Sequence, residues 1–112
     1  MSAMQAWLWL ATAIALEVSG TVCMKFSEGF TRLMPSLLMA LCYLASFAAM
    51  TMSLKRIDLG VAYAVWAGVG TALIALIAVL VFREAATALK LVAVVLIISG
   101  VAMLHLSNAA AN

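Results

Sequence analysis

The chain has 112 residues, of which 69% are hydrophobic and 9% charged, and its mean hydropathy is +1.26. Soluble domains carry about 25% charged residues, so this composition excludes a water-soluble globular fold. It describes an all-α integral membrane protein, one domain over residues 1–112. The net charge of +2 comes from scattered basic residues, which form no face for nucleic acid.

The first predicted helix covers about residues 4–24, long enough to cross a hydrocarbon core of roughly 30 Å. Trp7 and Trp9 near its start suit the interfacial aromatic belt. Within it stands Glu17, with no Lys, Arg, Asp or His before it and no further charge until Lys25. An ionised carboxylate at that depth is costly, and such groups face a bundle interior or a water-filled cavity. In helical steps, Leu10, Ala13, Ile14, Gly20, Thr21 and Met24 share its face. Ala13, Gly20 and Thr21 are small and leave room beside the carboxylate for a ligand or a close helix. Cys23 in this segment and Cys42 in the next read as small buried hydrophobes, because neither a close partner cysteine nor accompanying His and Asp ligands are present. The start lacks a positively charged segment, so a cleaved signal peptide is not expected.

Lys25 to Arg32 is a polar break with Gly29 supplying a turn, and Pro35 falls in the first turn of the second helix, about 33–54. That helix is uncharged, and Tyr43, Ser46 and Phe47 are its expected inward residues. The short Lys55-Arg56-Ile57-Asp58 loop makes helices two and three antiparallel neighbours. The third helix, about 59–82, places Tyr63, Trp66 and Gly70 on one face and Gly60, Ala64 and Gly68 in a row of small residues. Gly68 and Gly70 near its centre weaken it and permit a bend. The fourth, about 88–106, carries the apolar stripe Ala93, Leu96, Ile97, Gly100, Val101 and Leu104 and reads as a packing helix, with His105 at its interfacial end.

No phosphate loop, metal-ligand cluster or Ser/His/Asp set is present in the sequence, so neither an enzyme nor a cofactor is expected. Lys25, Arg32, Arg83 and Lys90 lie on one side of the four-helix path and Lys55 and Arg56 on the other. So small a bias in basic residues allows insertion in both orientations. Four helices barely enclose a substrate path, whereas many transporters surround a midplane site with inverted repeats. Two oppositely inserted copies supply that symmetry and bring two Glu17 side chains together. An antiparallel homodimer is the expected assembly. The competing class is a non-transporting accessory subunit in which Glu17 hydrogen-bonds a neighbouring helix.

The stretches Glu17-Val18-Ser19-Gly20-Thr21, Met24 to Arg32 and Gly60 to Gly70, with the four-helix spacing, resemble the small multidrug resistance family. Within it the chain is most similar to the quaternary-ammonium exporters of the bacterial inner membrane. The resemblance implies an antiparallel dimer that exchanges protons for lipophilic cations. In it Glu17 matches the proton- and substrate-binding glutamate, and Tyr63, Trp66 and Tyr43 match the aromatic substrate contacts. Gly68-Val69-Gly70 matches the kink of helix three, and Ala93 to Val101 the dimer contact, with Ala93 where a glycine is common. Gly20 stands where the guanidinium exporters carry Trp. Asp58 replaces a frequent Pro, and the adjoining Ile-Asp-Leu is similar to the polyamine-exporting branch, whose subunits work in pairs. In this scheme two nearby carboxylates take up protons as a coupled pair, and an organic cation competes with protons for them. The aromatics hold its apolar part by cation–π attraction of about 0.5–2 kcal/mol per contact.

Overall fold

The protein is described as a computed structural model for residues 1–111. It contains four helices and, among the described residues, no strand: α1 (Ala3–Phe26), α2 (Leu33–Ser53), α3 (Leu59–Leu80) and α4 (Ala88–Ala111). Each is long and apolar enough to cross a membrane. The chain divides into two compact units, Met1–Ile57 and Asp58 onward, built from the α1–α2 and α3–α4 pairs.

α1 begins with a capping box. The Ser2 hydroxyl accepts from the Gln5 backbone N–H at 3.1 Å, and the Gln5 side chain accepts from the Ser2 N–H at 2.9 Å. These two bonds satisfy donors that the first helical turn leaves unpaired. At its other end, Glu28, Gly29 and Phe30 all have positive φ (49°, 70° and 68°), a conformation that only glycine adopts without strain. Buried Ser27 secures this turn: its hydroxyl donates to the Met24 carbonyl at 2.7 Å and accepts from the Phe30 N–H at 3.3 Å.

The α1–α2 contact follows a repeat of small or slender groups. Ala6, Leu10, Ala13 and Gly20 on α1 are buried, as are Ser46, Ala49, Met50 and Ser53 on α2. Small residues let two helix backbones approach closely where lipid supplies no hydrophobic drive for association. The fully buried Ser46 hydroxyl donates to the Ala13 carbonyl across this contact at 2.7 Å. Ser46→Ala is expected to lower stability by about 0.5–1.5 kcal/mol, the net worth of one such bond, measured as a lower midpoint in a detergent-denaturation titration. Phe47, the neighbouring position expected to face inward, is 54% exposed. One helical step of about 100° separates it from Ser46, and Ser46 takes the packed side.

In the second unit, Asp58 caps the start of α3, its carbonyl accepting from the Ala62 N–H at 2.9 Å. Its carboxylate also accepts from the Asn108 amide on α4 at 3.3 Å. The Thr87 hydroxyl caps α4 by accepting from the Lys90 N–H at 3.1 Å. α4 continues past the 106 expected from the apolar pattern, through Asn-Ala-Ala-Ala, because alanine is the strongest helix former and needs no buried face. Gly68 provides the close approach of α3 to α4: the side chains of Val101 and Ile97 occupy the space above its Cα.

Candidate functional site

In α1, Glu17 lies 14 residues beyond Ala3 and nine before Phe26, or roughly 21 Å and 14 Å from the two helix ends at 1.5 Å per residue. It is half-buried. One turn later, the Thr21 hydroxyl lies 3.1 Å from the Glu17 carboxylate oxygen Oε1 and 3.0 Å from the Glu17 carbonyl. The same hydroxyl is 2.8 Å from the phenolic oxygen of Tyr43 on α2. Three groups, contributed by two helices, thus form a continuous hydroxyl–hydroxyl–carboxylate chain.

Gly20 makes this arrangement possible. A Cβ at that position would stand 2.9 Å from two ring carbons of Tyr43 and 3.3 Å from the Cys42 Cβ. With hydrogen in its place, the Tyr43 ring packs against α1 at Gly20 and its hydroxyl reaches Thr21. The room foreseen beside Glu17 is therefore filled, at least in part, by a side chain of α2. Ala13 and Ser46, also expected at the site, are fully buried and spent on one another through the Ser46 hydrogen bond.

Tyr63 and Trp66 lie on α3, in the other unit. Their rings meet edge to face with centroids 5.6 Å apart and planes at 66°, an arrangement that aromatic quadrupoles favour. Tyr63 is 58% exposed and presents most of its ring outward, whereas Trp66 is half-buried. Gly68 and Gly70 are buried one turn further along the same helix. On α4, Ile97 and Val101 are engaged with Gly68, while Ala93, Leu96 and Gly100 are exposed. No group of three or more potential metal ligands occurs among the described residues.

The part of the site that sequence reasoning understated is the polar role of Thr21. The spacing of Glu17 and Thr21 by four was a usable signal, since such pairs face one another on a helix. The link to Tyr43, 22 residues away, had no local signal.

A family profile described as Small Multidrug Resistance protein matches residues 5–97. The chain belongs to this family. It is 43% identical to the multidrug transporter EmrE of Escherichia coli K12 over 103 residues, covering 92% of this chain and 94% of that one. It is 43% identical to the quaternary ammonium compound-resistance protein QacE of E. coli over 107 residues, 96% and 97% of the two chains. Its identity to the membrane protein YvaE of Bacillus subtilis is 48% over 100 residues, 89% and 84% of the two. Members of the family are transporters and not enzymes, and this chain is a multi-pass protein of the bacterial inner membrane.

Proposed function

We propose that the protein exports hydrophobic and quaternary ammonium cations in exchange for protons, by alternating access. The observation that carries this reading is Glu17, the one carboxylate deep in a membrane-spanning helix, half-buried and hydrogen-bonded rather than neutralised by a basic residue in its own unit. Such a group binds either a proton or a cation, and the two exclude one another. The functions for which the relatives are named, multidrug transport and resistance to quaternary ammonium compounds, fit a site with this preference. Tyr43, Tyr63 and Trp66 are assigned the apolar and π contacts to the cation. Contacts of that kind select for charge and hydrophobic bulk more than for shape.

The working unit in this proposal is an antiparallel homodimer, which places two copies of Glu17 at one transport path. The exposed Ala93, Leu96 and Gly100 of α4 are assigned to the contact between copies, with Ile97 and Val101 behind them against Gly68. The Gly68–Gly70 segment is the hinge at which α3 bends as access alternates. If the ionised, empty site does not change sides, proton and cation must take turns.

The test is tetraphenylphosphonium binding to the detergent-purified protein, titrated by calorimetry from acidic to alkaline pH. Affinity is expected to fall about tenfold per pH unit once protons occupy the carboxylate, as one-for-one competition requires. Binding independent of pH would remove proton competition from the mechanism. Absence of binding at every pH would redirect the search toward guanidinium or polyamine substrates, or toward an accessory subunit.

A further inference from the structure

The α3–α4 contact is close at Gly68, where the side chains of Val101 and Ile97 stand over the backbone. It loosens toward the loop that joins the two helices. Ala72 and Ala75 follow Gly68 by about one and two turns, and Val94 precedes Ile97 by about one. These short side chains leave a groove of about 240 Å³ between the helices. Its floor is the half-buried Ala72, Ala75 and Val94, and its walls are Leu76 and Leu91, 54% and 66% exposed. Both helices are long and apolar enough to span the membrane. At the loop end the lining turns basic with Lys90. The Ala85 carbonyl accepts one of the three hydrogens of its ammonium group at 2.8 Å. Glu84 Oε1 lies 3.7 Å away, beyond a direct hydrogen bond, so the ammonium keeps donors for a further anionic oxygen. Arg83, exposed in the same loop, is a second cation at this end.

We propose that this groove binds one anionic phospholipid of the surrounding bilayer, with an acyl chain along Ala72, Ala75 and Val94 and the phosphate at Lys90. The volume is below the roughly 300–1,000 Å³ of sites that enclose drug-sized molecules, and it suits a length of a single chain. Charge selects the headgroup: Arg83 and Lys90 against Glu84 leave the loop end basic, which attracts an anion and repels an organic cation. The lysine stem lies along the apolar groove while its ammonium reaches the polar boundary, the level at which basic pockets between membrane helices hold phosphate headgroups. A helix from a second copy would instead take the ammonium out of water without an anionic partner, a large cost. The lipid site uses none of the residues assigned to the cation, so it stands independently of the exchange reading.

The experiment is native mass spectrometry of the detergent-purified protein, titrated with dioleoylphosphatidylglycerol or with dioleoylphosphatidylcholine. The two lipids share their chains and differ in net headgroup charge. One phosphatidylglycerol per chain is expected to be retained about fivefold more tightly than phosphatidylcholine, the scale of one lysine at a membrane surface. Lys90→Gln brings the two lipids level. Lys25→Gln, which removes a base from the same side of the membrane, leaves the preference intact. Glu84→Gln sharpens it, because the nearby carboxylate no longer competes for the ammonium. Ala75→Leu fills the groove and weakens retention of both lipids with Lys90 still in place. Equal retention of the two lipids by the wild-type protein, or retention of neither, would overturn the inference. So would an equal loss in Lys25→Gln and Lys90→Gln, which would reduce the effect to the general charge of the surface. An Ala75→Leu variant that keeps its lipid but separates into monomers would overturn it too, and would give the groove to a second copy of the chain.

Discussion

Replacing Glu17 with Gln is expected to abolish proton-driven cation transport in reconstituted vesicles and to lower cation affinity by two to three orders of magnitude. Glutamine keeps the size of the side chain and an oxygen that Thr21 can reach, so the α1–α2 contact has no reason to change. What disappears is the charge. Uncoupling a paired charge in a low-dielectric site costs about 3–5 kcal/mol, and each 1.4 kcal/mol is about tenfold in affinity. The proton binding proposed for Glu17 goes with it, since an amide does not titrate in the accessible range. Transport driven by an imposed pH gradient should therefore fall to the level of empty vesicles, while the protein purifies and melts as the wild type does. Undiminished pH-driven uptake by this variant would show that another group carries the proton. Glu17→Asp separates the two requirements: it keeps the charge but withdraws the carboxylate from the Thr21 hydroxyl, 3.1 Å away in the native chain. It should retain pH-dependent binding with weakened affinity.

The second large effect is expected at Gly68. An added Cβ would lie 2.5 Å from Val101 Cγ2 and 3.2 Å from Ile97 Cγ2. Both neighbours are β-branched residues on a helix, where one side-chain rotamer dominates, so neither yields by a simple rotation. Alanine gains about 1 kcal/mol over glycine in an open helix, but overpacking costs about 1–3 kcal/mol. The balance at Gly68 is destabilising, and Gly68→Val is worse than Gly68→Ala. Thermal melts of the purified protein measure this directly. Val101→Ala should recover most of the loss in the double variant, since it removes the nearest clashing atom. Gly60 is the control, because no atom lies within 4 Å of its would-be Cβ and Gly60→Ala should be neutral or mildly stabilising. A Gly68→Ala variant as stable as Gly60→Ala would mean that α3 and α4 do not meet at this position.

These two sites differ in how far the sequence discloses them. Glu17 is conspicuous because its context is one-dimensional: a carboxylate within an apolar run long enough to span a bilayer is costly wherever the helix points. The four helices are legible for the same reason, since transfer from water to lipid sums over residues along a segment and needs no knowledge of neighbours. The family membership is likewise written in contiguous stretches, from Glu17 to Thr21 and from Gly60 to Gly70. Helix ends are less secure. α4 runs on through an alanine-rich tail to Ala111, where propensity rather than hydropathy decides.

What the tertiary structure alone decides is which small and polar residues are used, and for what. Gly20, Gly60, Gly68 and Gly100 look alike in the sequence, yet Gly20 seats the Tyr43 ring, Gly68 receives Val101, and a Cβ added at Gly60 or Gly100 would enter open space. Ser46 and Phe47 are adjacent, and the register of α2 on α1 sends the hydroxyl into the contact and leaves the ring largely exposed. The bond between Thr21 and Tyr43 depends on that same register. Hydropathy and periodicity identify a helix and its apolar character, but they leave its rotation and offset against a neighbour undetermined. Close packing of facing side chains sets those two quantities, and the polar chain that ends at Glu17 exists only at the register it selects.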